Sequence, residues 1–487
     1  MLKICCAVAL VAHIFWIWID SPKQIYFCPL DRKGLANDWA DENCYWSASY
    51  PEAREKFVSL GNRLREQLML SRDDDNLVLE LLDVQSITYD IAMDSEVFKS
   101  MEAIDALTPH TISPEKDTID AILLTLRASD DHIDIIHSSG THGVEGYLGS
   151  AVQTGFLHEL FLQNEAVLYS GQQEKSSIKE KDFKTRKILL IHAINPFGMR
   201  HHRRTNENNV DLNRNVLSAD KIKTVISRDP NHFGYADMDA ILNPTDSPLP
   251  IQNGEDMQLL TSYDTIHAFL SEIRAIISVI GSIVRIIAST GYSNAKRTIV
   301  SAQYHKNTGI FYGGNGSWEN SVVAVQHAIN DFAGFALGSD NAKSKVFWID
   351  VHTGLGSYGT YTLIEKELPE DDVWSFQLSH EVAMLEEKQA SSSKAVSSGY
   401  EQTVGFVNGD VLCPPAHCFA VTQEFGTRPG VAVILALILE NKGFQWGKRE
   451  FAYLTSNAFQ PQRLSWRRKC LKSGREMLLA AVNFESK

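Results

Sequence analysis

Residues 132–149 read HIDIIHSSGTHGVEGYLG, and the fold follows from how this stretch changes character along its length. Its first six residues are short, rich in branched apolar side chains and closed by Ser and Gly, which is the pattern of a buried strand. After Glu145 the run GYLGSAVQTGFLHELFLQ reads as a helix. Three further segments repeat the strand pattern: ILLIHAI (188–194), VFWIDVH (346–352) and CFAVTQEF (418–425). Helical patterns separate them, the clearest being VAVILALILEN (431–441), and another precedes them all in PEAREKFVSLGNRLREQL, between Tyr50 and Leu70. Strands alternating with helices predict an α/β fold of three layers: a mixed, mostly parallel sheet with helices on both faces.

The chain has 487 residues, 44% hydrophobic and 22% charged, with a formal net charge of -14. That is enough apolar material for a full core. The acidic balance argues against a nucleic-acid partner, because phosphate binding needs a broad basic surface. At the N-terminus, Lys3 precedes an apolar run, Ile4 to Ile19, broken only by His13. Residues 1–20 read as a secretory signal or an uncleaved signal anchor, which allows membrane anchoring through residues 4–19. The expected location is the secretory pathway, with the catalytic body on the non-cytosolic side. Residues 21–44 read as a linker or extension, 45–455 as one catalytic domain with inserted loops, and 456–487 as a C-terminal helical extension. The inserts are 171–187, 217–250 and 386–398. The strongly apolar IISVIGSIVRII (276–287) is too short to span a bilayer and reads as a buried helix. Of seven cysteines, an oxidising compartment would permit bridges 28–44 and 413–418 with Cys470 left over. Buried free thiols are the equal alternative.

In open α/β sheets ligands collect beyond the carboxyl ends of the strands. All four strands end there in polar or ionisable residues followed by Gly or Asn. His142 and Glu145 stand at i, i+3 in a loop with glycines at 140, 143 and 146, which would let a metal and a substrate approach the backbone. Imidazole and carboxylate are sound zinc ligands. His352 ends the third strand, and a catalytic zinc wants three protein ligands and an open fourth place. Each motif alone also fits a bland role: a capping Glu in a surface loop, or a His at the sheet rim. The second strand runs into NPFGMRHHRRTNENNVDLNRN, which holds Arg200, Arg203, Arg204 and Arg214. Guanidinium groups concentrated there suit a carboxylate or an oxyanion. They also disfavour His201 and His202 as metal ligands. Glu424, at the end of the fourth strand, is placed to act as a general base. A serine hydrolase is set aside because no G-x-S-x-G elbow occurs.

Taken in order, SGTHGVEGYLGSAVQ, HAINPFGMRHHRRTNENNVDLNRN, DVHTGLGSYG and TQEFGTRPG resemble the zinc carboxypeptidase superfamily. That group includes carboxypeptidase A and the aspartoacylase-type deacylases. With YPEAREKF and QYHKNTGIFYGGNGSW added, the chain is more similar to an uncharacterised bacterial-type branch of it, a domain of unknown function. The resemblance covers about residues 45–450. It implies one zinc ion held by His142, Glu145 and His352, with Glu424 as the catalytic glutamate. It further implies Arg204 as the oxyanion stabiliser and Asn213 with Arg214 as the pair holding a terminal carboxylate. Asp211 would orient the first zinc histidine. Tyr400 would match a mobile tyrosine over the substrate, and Tyr312 with its glycines would shape the pocket. The expected substrate is a peptide cleaved beside a free carboxylate or an N-acyl amino acid; a non-catalytic zinc-binding relative is the alternative. The NGS sequon at 315–317 falls in that pocket segment, which argues against its use.

Overall fold

A computed structural model of the chain describes residues 42–71, 81–91, 116–128, 132–170, 184–243, 281, 285, 288, 289, 291–337, 345–365, 403–447 and 451–483. The four expected strands are β3 (Asp134–Ser139), β4 (Lys184–His192), β5 (Val346–Gly354) and β7 (Cys418–Gly426). Three others join them: β1 (Leu81–Asp90), β2 (Thr118–Ala128) and β6 (Tyr361–Glu365), giving a seven-stranded sheet in the order β1-β2-β4-β3-β5-β7-β6. The central four strands are parallel to one another, and β1, β2 and β6 add antiparallel margins. The sheet is therefore mixed, with its parallel part confined to the centre.

The helices are α1 (Tyr50–Ser71), α2 (Gly146–Ser170), α3 (Pro196–His201), α4 (Ala219–Ile226), α5 (Asp239–Leu242), α6 (Tyr292–Val300), α7 (Asn320–His327), α8 (Gly430–Gln445), α9 (Ala452–Phe459) and α10 (Leu464–Val482). Successive strand residues point to opposite faces, and here both faces are apolar. Ile135, Ile188, Phe347, Ile349 and Val421 pack on one side with Phe57 of α1, Val152 of α2 and Trp466 of α10. Ile136, Leu189, Trp348 and Ala420 pack on the other with Val322 and Val325 of α7. A third apolar cluster joins α6, α8 and α9 beyond the strand ends. These are the three layers the alternating pattern implies.

Several expectations change. The insert placed at 171–187 is too long, since β4 already begins at Lys184. A boundary at 455/456 falls inside α9, and α10 is no appendage: Trp466, Cys470, Met477 and Leu478 are part of the first core. In the segment read as a buried helix at 276–287, Gly281 and Arg285 are helical but exposed; its other residues lie outside the described ones. Cys413 and Cys418 form a disulfide, Cys44 is disulfide-bonded, and Cys470 is a buried thiol. Cys28, the N-terminal apolar run and the insert at 386–398 lie outside the described residues. Among the described residues no helix is long and apolar enough to cross a membrane.

Candidate metal centre

The loop after β3 turns at Gly140, whose φ of 72° suits a residue without a side chain. A short 3₁₀ turn, Gly143–Glu145, follows and leads into α2. His142 precedes this turn, and the tight winding brings its Nδ1 to 3.0 Å from Glu145 Oε1. Gly143 serves the neighbouring chain rather than a substrate: a Cβ there would lie 2.0 Å from the carbonyl carbon of Gly198. The glycines of this loop let the β3 and β4 connections pack backbone to backbone.

His352 arrives from β5. Its Nδ1 lies 3.0 Å from Glu145 Oε2 and 3.1 Å from His142 Nδ1. The far nitrogens are both held by carboxylates: His352 Nε2 is 2.7 Å from Asp350, and His142 Nε2 is 3.2 Å from Asp211. With Nε2–H donating to those carboxylates, both Nδ1 lone pairs face each other and Glu145. Three acceptors converging within about 3 Å repel one another unless positive charge lies between them. Such spacing matches the roughly 3.3 Å between ligand atoms on a tetrahedral ion with bonds of about 2.0–2.1 Å. The buried His142, Glu145 and His352 thus form a group that could hold a metal ion.

The electrostatics agree. Burial would lower the His352 pKa, but Asp350 and Glu145 outweigh it and hold it well above the usual imidazole value. Burial would raise Glu145, but His142 and His352 hold it well below the usual carboxylate range. The buried carboxylates favour positive charge at this point, whether a proton on His352 or a metal ion.

Asp350 was not anticipated. The two-residue period of a strand puts Asp350 and His352 on one face, so the D-x-H of WIDVH was the available signal. Ser138 Oγ and Thr141 Oγ1 donate to Asp350, and the indole of Trp348 donates to Ser138. Asp350→Asn should weaken metal affinity about 10–100-fold, as loss of such orienting partners does, read by competition with a chromogenic chelator. Unchanged affinity would remove Asp350 from the centre.

Glu424 lies opposite His352 in the parallel register of β5 and β7, so both side chains leave the same face of adjacent strands. The Leu355 N–H donates to its Oε1 at 2.8 Å. Burial, with Glu145 nearby, pushes its pKa up to about 7. Arg204 reaches two of the site's carboxylates, at 2.9 Å to Asp211 and 3.4 Å to Glu145, and its guanidinium stacks on Phe311. Asp211 caps the turn Leu212–Arg214. Burial would raise its pKa, but Arg204, Arg214 and His142 drive it well down. Asn213 places Nδ2 3.5 Å from His352 Nε2. Arg214 is buried, bonded to the carbonyls of Val300 and Asn213. All of these except Asp211 and Asp350 line one cavity.

Other anticipated residues fall elsewhere. Tyr312 packs in the second core, where its carbonyl receives the Asp211 N–H; its neighbour Phe311 lines the cavity instead. Tyr400 lies outside the described residues. Arg200 pairs with Asp117, and Arg203 with Glu440, so only two of the four clustered arginines serve the cavity. His202 stacks on Tyr147 and His201 lies tilted against Phe197, away from the three converging ligands. Asn315 is exposed rather than enclosed in a pocket, so burial is no obstacle to that sequon.

Fold and site together define an α/β protein with a buried His/Glu/His group, fit for a metal ion, at the carboxyl end of its sheet. The family described as protein of unknown function (DUF2817) matches residues 109–473, and the chain belongs to it. No curated protein matches the chain.

Proposed function

We propose that this protein is a zinc-dependent hydrolase of the zinc carboxypeptidase superfamily that cleaves an amide bond beside a free carboxylate. The observation that carries this reading is the convergence of two imidazole Nδ1 atoms and Glu145, with Glu424 in register beside His352. His142, Glu145 and His352 would hold the ion. Nitrogen and carboxylate donors in this number favour zinc, whose bound form supplies Lewis acidity toward a carbonyl oxygen and lowers the pKa of water.

The chain's own groups supply the rest. Glu424 takes a proton from water as the water oxygen bonds to the amide carbon. Arg204 donates to the oxyanion that develops at the carbonyl oxygen. As the carbon–nitrogen bond breaks, Glu424 delivers that proton to the amine nitrogen, leaving a carboxylic acid and an amine. Asp211 and Asp350 keep both imidazoles in the tautomer that offers Nδ1. Arg214, with Asn213, suits a substrate carboxylate. The apolar N-terminal run and the Cys413–Cys418 bridge support a non-cytosolic location.

Two substrate classes share this chemistry: peptides with a free C-terminus and N-acyl amino acids. The test is metal quantitation on purified protein, followed by a panel of both classes and their amidated counterparts, with and without chelator. Cleavage that needs both metal and a free carboxylate is expected. Indifference to the carboxylate would remove the role given to Arg214. Stoichiometric zinc with no turnover on either class would favour a non-catalytic zinc-binding protein.

A further inference from the structure

We infer that the substrate carries an aliphatic acyl chain longer than any amino-acid side chain, seated in the cavity between α6 and α8. This deepens the amide-hydrolase reading and rests on it only for where the chain ends. The polar groups of the site form one part of the cavity; among the described residues, fifteen apolar side chains form most of the rest, with Lys296, Thr353 and Thr422 as the other polar contributors. Val431, Ile434 and Leu437 recur at helical spacing along α8, and Ala295 with Ile299 do so along α6. Both stripes line the same space, as does Phe406. A fully buried side chain touches about 6–12 residues. Fifteen apolar walls exceed what one amino-acid side chain of a peptide could cover. A methylene chain covers them without needing hydrogen bonds, and its carboxyl end would lie at Glu424 and Arg204.

The test uses the purified full-length protein in two arms. Calorimetry measures binding of butanoate, octanoate and dodecanoate, which are product analogues and need no turnover. Affinity should rise about fourfold per added methylene until the cavity is filled. Ile434→Trp, which occupies the space, should weaken dodecanoate at least tenfold; Ile299→Gln serves if the first variant melts early. The second arm compares kcat/KM for N-acyl glycines from acetyl to dodecanoyl, expected to climb with length. Affinity independent of length, or dodecanoate binding untouched by both variants, overturns the inference. Equal cleavage of acetyl and dodecanoyl substrates also overturns it while leaving amide hydrolysis intact. Length-dependent, variant-sensitive binding with no cleavage of any amide upholds the acyl site and removes the hydrolase reading.

Discussion

Glu424→Gln should lower turnover of the best amide substrate by about 10²–10⁴-fold while the metal stays bound. Glutamine keeps the shape of the side chain and can still accept from the Leu355 N–H, so packing is preserved. What it cannot do is take and return a proton. The pH profile gives a second check. The active form of Glu424 is the carboxylate, so the rate should fall as pH drops through its pKa. Burial beside Glu145 sets that pKa at about 7 without metal, and a cation at His142, Glu145 and His352 lowers it. The acid limb of wild-type activity should therefore lie at or below about pH 7, and the residual activity of the variant should lack it. Normal turnover in the variant, with metal bound, would defeat the mechanism.

His352→Ala should abolish stoichiometric metal binding and, with it, activity. The substitution removes one of three ligands and leaves Asp350 buried without its imidazole partner. Breaking a buried charged pair in this way costs about 3–5 kcal/mol, so the variant should also melt earlier. A readout independent of activity separates the two effects. A metal that binds only the folded protein stabilises it by about 2.7 kcal/mol at a hundredfold excess over Kd. Zinc added to metal-stripped wild type should raise Tm, and the same addition to His352→Ala should not. An equal rise in both proteins would place the metal elsewhere.

The four central strands were legible because each is a short apolar run closed by a turn residue, a local signal. The margins were not. β1 carries the exposed and half-buried polar residues of an edge strand, and β6 is five residues long. β2 is almost wholly buried, yet its pairing with β1 and β4 depends on partners 28–45 and 56–72 residues away. The glycines of SGTHGVEG were visible, but not their packing: Gly143 accommodates the backbone at Gly198, while Gly140 and Gly146 close on each other and on Ala193 and Met199. By residue type alone the arginines of MRHHRR are equivalent, and only the family resemblance set Arg204 apart. The turn at His202, with φ of 53°, sends Arg203 to Glu440 and Arg204 to the metal centre.

The sequence by itself determined the α/β class and the residues that could ligate a metal, and it pointed to Glu424 as the strand-end carboxylate beside them, because residue chemistry at a strand end is a local property. Tertiary structure alone decided that His142 and His352 present Nδ1 to Glu145, that Asp350 stands behind the second histidine, and that Tyr312 belongs to the core. Those facts depend on distances between residues far apart in the chain, and distance is set by how the parallel strands align and how the loops pack on one another.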